Sequence, residues 1–362
     1  MRKDWEYKKL GEVCDILDSQ RKPVTKKDRK KGIYPYYGAT GIQDFVDNYI
    51  FDGRYVLVGE DGAKWSANEK CAYIIEGKTW INNHAHVLST KNMVIDSFLT
   101  YYLNFSDLDS YISGAIIRKL TQSSLKSIPI PLPPKPTQLA IVAELDKINE
   151  LIQLKKQQLK DYDQLAQSIF YEMFGDPVEN EKGWEVKKIS EVSIYYNGKA
   201  HENDIDESGK YILINSKFIS SEGSVLKRTA TQHFPLYKND VVMVLSDLPN
   251  GKALGKCCLI TKDDIYSLNQ RICCFRGFKG DSHFFKYMIN RHPYFLSFDD
   301  GKGQTNLRKK DVENCPIPLP PLPLQQQFAA RIEAIERQKQ QVSETIKDLE
   351  TLLASRMQYW FD

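Results

Sequence analysis

Several side chains in this 362-residue chain have the types and spacings that support catalysis or metal binding, and each fails on its surroundings. His84 and His86 are two residues apart, so in a strand they share one face; no third ligand accompanies them, and a hydrogen-bonded or outward-facing pair is the better reading. Gly77-Lys78-Thr79 has the end of a phosphate loop, but Ala72 stands where its first glycine belongs. The Gly251–Lys256 stretch has the wrong glycine spacing and runs into Cys257. Glu-x-Lys occurs at Glu6–Lys8, Glu76–Lys78 and Glu185–Lys187, in unrelated settings and never after Pro-Asp. No Asp-Pro-Pro-Tyr, Asn-Pro-Pro-Tyr or Phe-x-Gly-x-Gly is present, so no methyl-transfer site is expected. The seven cysteines form no Cys-x-x-Cys; Cys257-Cys258 and Cys273-Cys274 fall in strand-like runs and read as buried thiols of a reducing, cytoplasmic setting. No catalytic, cofactor-binding or metal-binding residue is therefore expected.

The elements that would position any site are organised by two long stretches, Gln138–Phe174 and Gln325–Phe361. Ile141, Leu145, Ile148, Ile152, Lys155, Leu159, Tyr162, Ala166, Ile169 and Met173 alternate in steps of four and three. The second stretch repeats the seam 187 residues later, from Phe328 to Trp360, with Lys339 and Arg356 as its only charged members. Such a heptad pattern predicts two long helices packed as an antiparallel coiled coil, each ~54 Å long at ~1.5 Å per residue. In that register Lys339 faces Tyr162 between Asp161 and Asp163, and Lys155 faces Ile346 near Glu344 and Asp348.

The rest of the chain also repeats. Trp5-Glu6-Tyr7-Lys8-Lys9-Leu10 returns as Trp184-Glu185-Val186-Lys187-Lys188-Ile189, and Asp96-Ser97-Phe98-Leu99 as Asp281-Ser282-His283-Phe284. Ile128-Pro129-Ile130-Pro131-Leu132-Pro133-Pro134 returns as Cys315-Pro316-Ile317-Pro318-Leu319-Pro320-Pro321. Four anchors in one order give a lobe–helix–lobe–helix layout with divisions at 1–137, 138–177, 178–324 and 325–362. The expected fold is α+β: two similar mixed α/β lobes separated by two antiparallel helices, with a pseudo-two-fold internal repeat. Lys8–Leu17 reads as a strand or short helix, and Tyr34–Gly41 as an aromatic, glycine-punctuated loop. Arg54–Val58, Cys71–Ile75 and Trp80–Leu88 read as strands, as do Tyr211–Asn215, Val241–Leu245, Lys256–Ile260 and Arg271–Phe275. Asp96–Asn104 reads as a capped helix, and no proline is expected inside the long helices. By the repeat, the residues ending at Trp360-Phe361-Asp362 should lie beside Trp5.

The net charge of +3 is unevenly spread. The two lobes carry +4 and +3 and the two helices −3 and −1, so a polyanion, if bound, belongs to the lobes. No run of 18 apolar residues is present, and the first residues lack the apolar centre of a signal peptide, so neither a membrane span nor export is expected.

The chain resembles the specificity subunits of Type I restriction–modification enzymes over essentially its whole length. The residues that carry the resemblance are Tyr34-Pro35-Tyr36-Tyr37-Gly38-Ala39-Thr40-Gly41-Ile42, Tyr55–Ala63, Ile81-Asn82-Asn83-His84-Ala85-His86-Val87-Leu88, and the repeated proline run leading into a glutamine-led helix. The resemblance implies two target-recognition domains, each reading half of a bipartite double-stranded DNA site. It also implies two spacer helices that dock two methyltransferase subunits, with restriction and translocation subunits joining the complex. S-adenosylmethionine, ATP and Mg would then belong to those partners and not to this chain. The alternatives are an architectural DNA binder or coiled-coil spacer without a methyltransferase partner, and a self-contained enzyme, which the missing motifs disfavour.

Given that resemblance, DNA readers are sought among Arg, Lys, Asn and Gln on loops, which pair with guanine or adenine edges, with polar and basic neighbours for phosphates. The first-lobe candidates are Arg21, Lys22, Tyr37, Thr40, Lys64, Trp65, Arg118 and Lys119. Those of the second are Asn215, Ser216, Asn250, Lys252, Gln304, Thr305 and Asn306. The basic run Arg21–Lys31 reads as phosphate contacts or a solvated face.

Overall fold

The computed structural model describes residues 5–114, 116–201 and 203–362. The chain forms two compact units, Met1–Lys156 with Glu344–Asp362, and Gln157–Ser343. Each unit contains one lobe and one half of each long helix.

In the first unit, strand β1 (Glu6–Lys9) leads through the short helix α1 (Leu10–Val13) to β2 (Cys14–Ile16). A hairpin of β3 (Lys31–Gly38) and β4 (Gly41–Val46) follows, then β5 (Phe51–Gly59), β6 (Ala72–Ile81) and β7 (Ala85–Thr90). These form a six-stranded sheet in the order β2-β7-β5-β6-β3-β4. Helix α2 (Asp96–Phe105) presents Phe98, Leu99, Tyr102 and Leu103 to the core. The ribbon β8 (Ile112–Ser113) with β9 (Lys119–Leu120), helix α3 (Gln122–Ser127) and strand β10 (Pro129–Leu132) bring the chain to the long helix α4 (Lys135–Phe174). The proline run is thus a strand: β10 pairs antiparallel with β1 in an isolated two-stranded sheet, where prolines that cannot donate are tolerated.

The second unit repeats this plan. It runs β11 (Glu185–Lys188), α5 (Ile189–Val192), β12 (Ile194–Asn197), β13 (Tyr211–Ile214), α6 (Ser216–Ser220) and β14 (Arg228–Thr229). Next come β15 (Val241–Val244), β16 (Ser246–Asp247), β17 (Cys257–Leu259), β18 (Tyr266–Leu268) and β19 (Ile272–Arg276). Helices α7 (Ser282–Ile289) and α8 (Pro293–Leu296), β20 (Thr305–Asn306), α9 (Lys309–Glu313), β21 (Pro316–Leu319) and α10 (Leu322–Phe361) complete the chain. The order β12-β19-β15-β17 reproduces β2-β7-β5-β6, and β11-β21 reproduces β1-β10. The lobes differ beyond that frame: the second has a separate sheet, β14-β13-β18, where the first continues into the β3–β4 hairpin.

Buried amides tie each lobe to its helix half. Gln138 is buried; its Oε1 accepts from Ile95 N–H (2.9 Å) and its Nε2 donates to Met93 O (2.9 Å) and Pro133 O (3.0 Å). Gln325, 187 residues later, does the same in the second unit: its Oε1 accepts from Asp281 N–H (3.0 Å) and its Nε2 donates to Pro320 O (2.8 Å). A buried amide that satisfies several backbone groups fixes local geometry, because leaving those groups unpaired is costly. Within the lobes, half-buried Asn104 accepts through Oδ1 from Cys71 and Ala72 N–H at the head of β6, and exposed Asn290 accepts from Cys257 N–H at the head of β17.

Within each unit the helix segments run antiparallel. In the first, Arg356 pairs with Glu144, Trp360 Nε1 donates to Glu144 at 2.9 Å, and Lys156 meets Glu350 at 2.8 Å. In the second, Lys339 meets Asp163, and Phe328 packs on Phe170 and Phe174. The predicted seam is the packed face: Ile141, Leu145, Ile152, Ile332 and Val342 are buried. Phe361 and Trp5 both pack on Phe98, at centroid distances of 5.5 and 6.4 Å, so the two ends of the described chain meet as expected.

Several local expectations need correction. Tyr34–Gly38 is not loop but the end of β3, because Gly38 and Gly41 bracket a tight hairpin turn. Trp80–Leu88 is two strands, broken at 82–84. His84 is therefore in a turn and does not share a strand face with His86. Asp96 does not cap α2; it is the first helical residue, and its carboxylate is held by Thr90 and Arg54. Pro136 and Pro323 lie inside the first turns of α4 and α10, where no backbone N–H is required.

Candidate nucleic-acid interface

In each lobe a loop leaving the central strand is zipped to a segment that enters the proline strand. In the first lobe Asp61 bridges Lys119, and Leu120 N–H donates to Glu60 O (2.8 Å). In the second, Asp247 pairs with Thr305, Ser246 pairs with Asn306, and Leu307 N–H donates to Leu245 O (2.8 Å). Asp61 and Asp247, and likewise Lys119 and Thr305, are separated by the same 186 residues, so the two loop pairs are equivalent in the repeat.

Charge holds the first loop pair. Arg21 Nη1 donates to Glu60 Oε2 (2.6 Å) and Ala85 O (2.7 Å), and Lys119 Nζ lies 2.7 Å from Glu60 Oε1. His86 Nδ1 is 2.6 Å from Asp18 Oδ2, and His86 Nε2 is 2.8 Å from Leu120 O. Burial pushes the Glu60 carboxyl up, but the hydrogen bonds from Lys119 and Arg21 outweigh it and hold the group below the usual carboxylate range. Asp18 behaves alike: the bonds from His86 and Val87 N–H, with the Arg21 charge, overcome desolvation. Asp18, Glu60 and His86 place three ligand atoms within 4.8 Å of one another, a grouping that includes His86 but not His84 and so does not complete the histidine pair considered from the sequence. Both carboxylates are already matched by Arg21 and Lys119, so the cluster has the chemistry of an ion-pair network. His84 stands apart and bonds Asp61 at 2.6 Å.

Two carboxylates shape the second loop pair. Asp247 accepts from Leu248 N–H (2.9 Å), Ala253 N–H (2.6 Å) and Leu254 N–H (3.2 Å). Asp299 accepts from Asn250 N–H (3.0 Å), Gly301 N–H (3.0 Å) and Thr305 Oγ1 (3.2 Å), joining one loop to the other. Gly251 packs directly on the Asp247 carboxylate: a Cβ there would stand 2.1 Å from Asp247 Oδ2, so a larger residue would displace the side chain that holds the loop.

The sequence candidates divide on this frame. Lys64, Trp65 and Arg118 line one open depression of about 570 Å³ with Gly62, Ile116 and Ile117. Lys64 and Arg118 are exposed and pair with Glu69 and Asp109; Lys119 is half-buried on Glu60. Asn250, Lys252, Gln304 and Asn306 are exposed on the second loop pair. Lys22 and Thr40 are exposed elsewhere in the first lobe; the Lys22 carbonyl accepts from Trp80 Nε1 (2.6 Å), and Thr40 sits in the β3–β4 turn.

Others are structural. Trp65 is 2% exposed, with its indole N–H on Gly59 O (3.1 Å), so it packs in the core beneath that depression and does not project from it. Thr305 is 7% exposed and occupied by Asp299. The Arg21 side chain is 12% exposed and consumed by Asp18, Glu60 and backbone carbonyls. Tyr37 is half-buried against Tyr73, at 6.0 Å between rings. Asn215 caps α6 through Phe218 N–H (2.9 Å), and Ser216 is the first residue of that helix, so both belong to the β13 sheet and not to the loop pair. Sequence inspection missed Glu60, Asp61, Asp247, Asp299, Ile116, Ile117 and Leu248; the repeat places Asp61 and Asp247 at equivalent positions, a signal available once either is known.

All seven cysteines are free, and six are buried; burial pushes the Cys14, Cys71 and Cys315 thiols up to about 12. No helix among the described residues is long and apolar enough to cross a membrane.

The family model described as Type I restriction modification DNA specificity domain matches residues 2–161 and again 181–351. A putative type I restriction enzyme specificity subunit of Haemophilus influenzae is 40% identical over 146 residues, which is 40% of this chain and 38% of that protein. The MjaVIII type I restriction enzyme specificity subunit of Methanocaldococcus jannaschii is 23% identical over 390 aligned positions, covering 97% of this chain and 92% of that protein. The crystal structure of the Type I restriction–modification S subunit from M. genitalium superimposes with a TM-score of 0.58 at 14% identity, covering 99% of this chain and 96% of that one. With both halves of its sequence matched, the chain belongs to the Type I restriction–modification DNA specificity family.

Proposed function

We propose that this chain is the DNA-reading subunit of a Type I restriction–modification complex and is itself non-catalytic. Each lobe addresses one half of a bipartite double-stranded target through its zipped loop pair. The observation that carries this reading is the equivalence of the two loop pairs at a 186-residue offset, each presenting exposed amides or cations from a strand-anchored frame. A frame fixed by hydrogen-bonded carboxylates suits recognition, because base contacts reward side chains held in place before binding.

The same reading gives α4 and α10 the role of fixing half-site spacing and docking two methyltransferase subunits, with restriction and translocation subunits completing the assembly. S-adenosylmethionine, ATP and Mg belong to those partners and not to this chain. The test is reconstitution. The chain alone, with labelled S-adenosylmethionine and target DNA, should transfer no methyl group, and addition of methyltransferase should start sequence-specific transfer. Transfer by the chain alone, or methylation that ignores its identity, contradicts the reading.

A further inference from the structure

Aliphatic side chains stand on the loop pairs of both lobes. Ile116 is 98% and Ile117 71% exposed between β8 and β9, and Leu248 is 69% exposed directly after β16. Single exposed aliphatics are ordinary on any surface. These are distinguished by place, since all three lie within the zipped segments, and by company. Exposed Lys64 and Arg118 flank the first pair, and exposed Lys252 and Lys302 accompany Leu248.

Their presentation is built by the backbone. Gly114 has φ +93°, and a Cβ there would stand 2.1 Å from the Ile117 carbonyl, so only glycine allows the turn that carries the isoleucines. Leu248 is fixed by its N–H bond to Asp247, whose other oxygen holds the far side of the same loop.

A double helix offers apolar surface at thymine methyl groups in the major groove, or at base faces if the stack is opened. The second loop pair is a short two-stranded ribbon, β16 with β20, and the first is joined by the Asp61–Lys119 bridge beside the β8–β9 ribbon; a major groove ~12 Å wide admits such a ribbon more readily than a minor groove ~6 Å wide. On the second ribbon, exposed Asn250, Gln304 and Asn306 carry the amides that pair with adenine in that same groove. We propose that Ile116 and Ile117 in one half-site, and Leu248 in the other, contact thymine C5-methyl groups and add a thymine preference to hydrogen-bond readout. This rests on the DNA-reading role proposed above.

The test uses the complex of this chain with its methyltransferase subunits and the target duplex identified by methylation mapping, with each thymine replaced singly by deoxyuridine. Only a methyl group is removed, and burial of one such group corresponds to about fourfold in affinity. At least one replacement in each half-site should weaken wild-type binding by about that factor. Ile116→Ala with Ile117→Ala should abolish the difference in one half-site only, and Leu248→Ala in the other only. The inference is overturned if wild type is indifferent to every replacement, if a half-site lacks thymine, or if the sensitivity persists in the variants. It is also overturned if the variants lose assembly with methyltransferase, or if 2-aminopurine beside the site brightens with wild type but not with the variants, which marks insertion between bases. Specific binding without methyl dependence removes this inference alone; a complex that binds all sequences equally removes the DNA-reading role as well.

Discussion

The Lys339 ammonium lies 2.6 Å from the Asp163 carboxylate, so the charged seam position of α10 is answered from the flank of α4. Glu222 adds a second carboxylate at 3.4 Å. Burial alone would lower the Lys339 amine; the Asp163 hydrogen bond and the charges of Glu336 and Glu222 reverse that and raise it. Asp163 and Glu222 are themselves 53% and 71% exposed and hydrate readily when the lysine is removed. Lys339→Leu should therefore leave stability unchanged or slightly raised. Asp163→Ala, which deprives a half-buried cation of its nearer partner, should cost about 1–2 kcal/mol. Chemical denaturation of both variants decides it; a large loss in Lys339→Leu would mean that the ion pair is required.

Gln138 and Gln325 should be equally important to their own units. Replacing either with Ala strands buried backbone groups and should cost about 1–3 kcal/mol. Hydrogen exchange should localise the weakening to the lobe that carries the change. Spread over both lobes, it would contradict the buried amides as local clamps.

Acid should act on the first lobe through Asp18 and Glu60. Both carboxyls are held below their ordinary values in the folded state, so their contribution is present above the unfolded pKa, near 4, and is lost as pH falls through the lower folded values. Glu60→Gln leaves Arg21 and Lys119 without their shared acid, so it should lower stability at pH 7 and flatten the dependence below pH 4. Melting curves from pH 3 to 7 measure this, and an unaltered slope would show that the network is not ionised as described.

Much of this architecture is legible in the sequence, because heptad spacing and a long repeat are collective signals that single misreadings do not disturb. The Ile141–Met173 seam and its copy define the helices, with a start three residues early because proline is harmless in a first turn. Individual site residues are less legible. Trp65 and Thr305 look like loop readers beside glycines and polar neighbours, yet an indole N–H on Gly59 and a hydroxyl on Asp299 place them inside. Burial is decided by partners distant in sequence, and no local pattern encodes them. The same holds for Arg21, whose partner Glu60 is 39 residues away.

Lys252 is exposed, and its backbone carbonyl is anchored by Arg291, so its ammonium is free to meet a phosphate while the loop stays fixed. Lys252→Ala should weaken DNA binding evenly across sequences and reduce the salt slope by about one. Anisotropy titrations at several salt concentrations test it; a change confined to one sequence would make Lys252 a base reader instead.

The central claim is that each lobe reads its own half-site. The most direct measurement is methylation-sensitive long-read sequencing of cells in which residues 1–135 have been replaced by the corresponding lobe of another member of the family. The account predicts a methylated target with one half-site changed and the other retained, at unchanged spacing. A target altered in both halves, or in neither, would contradict it.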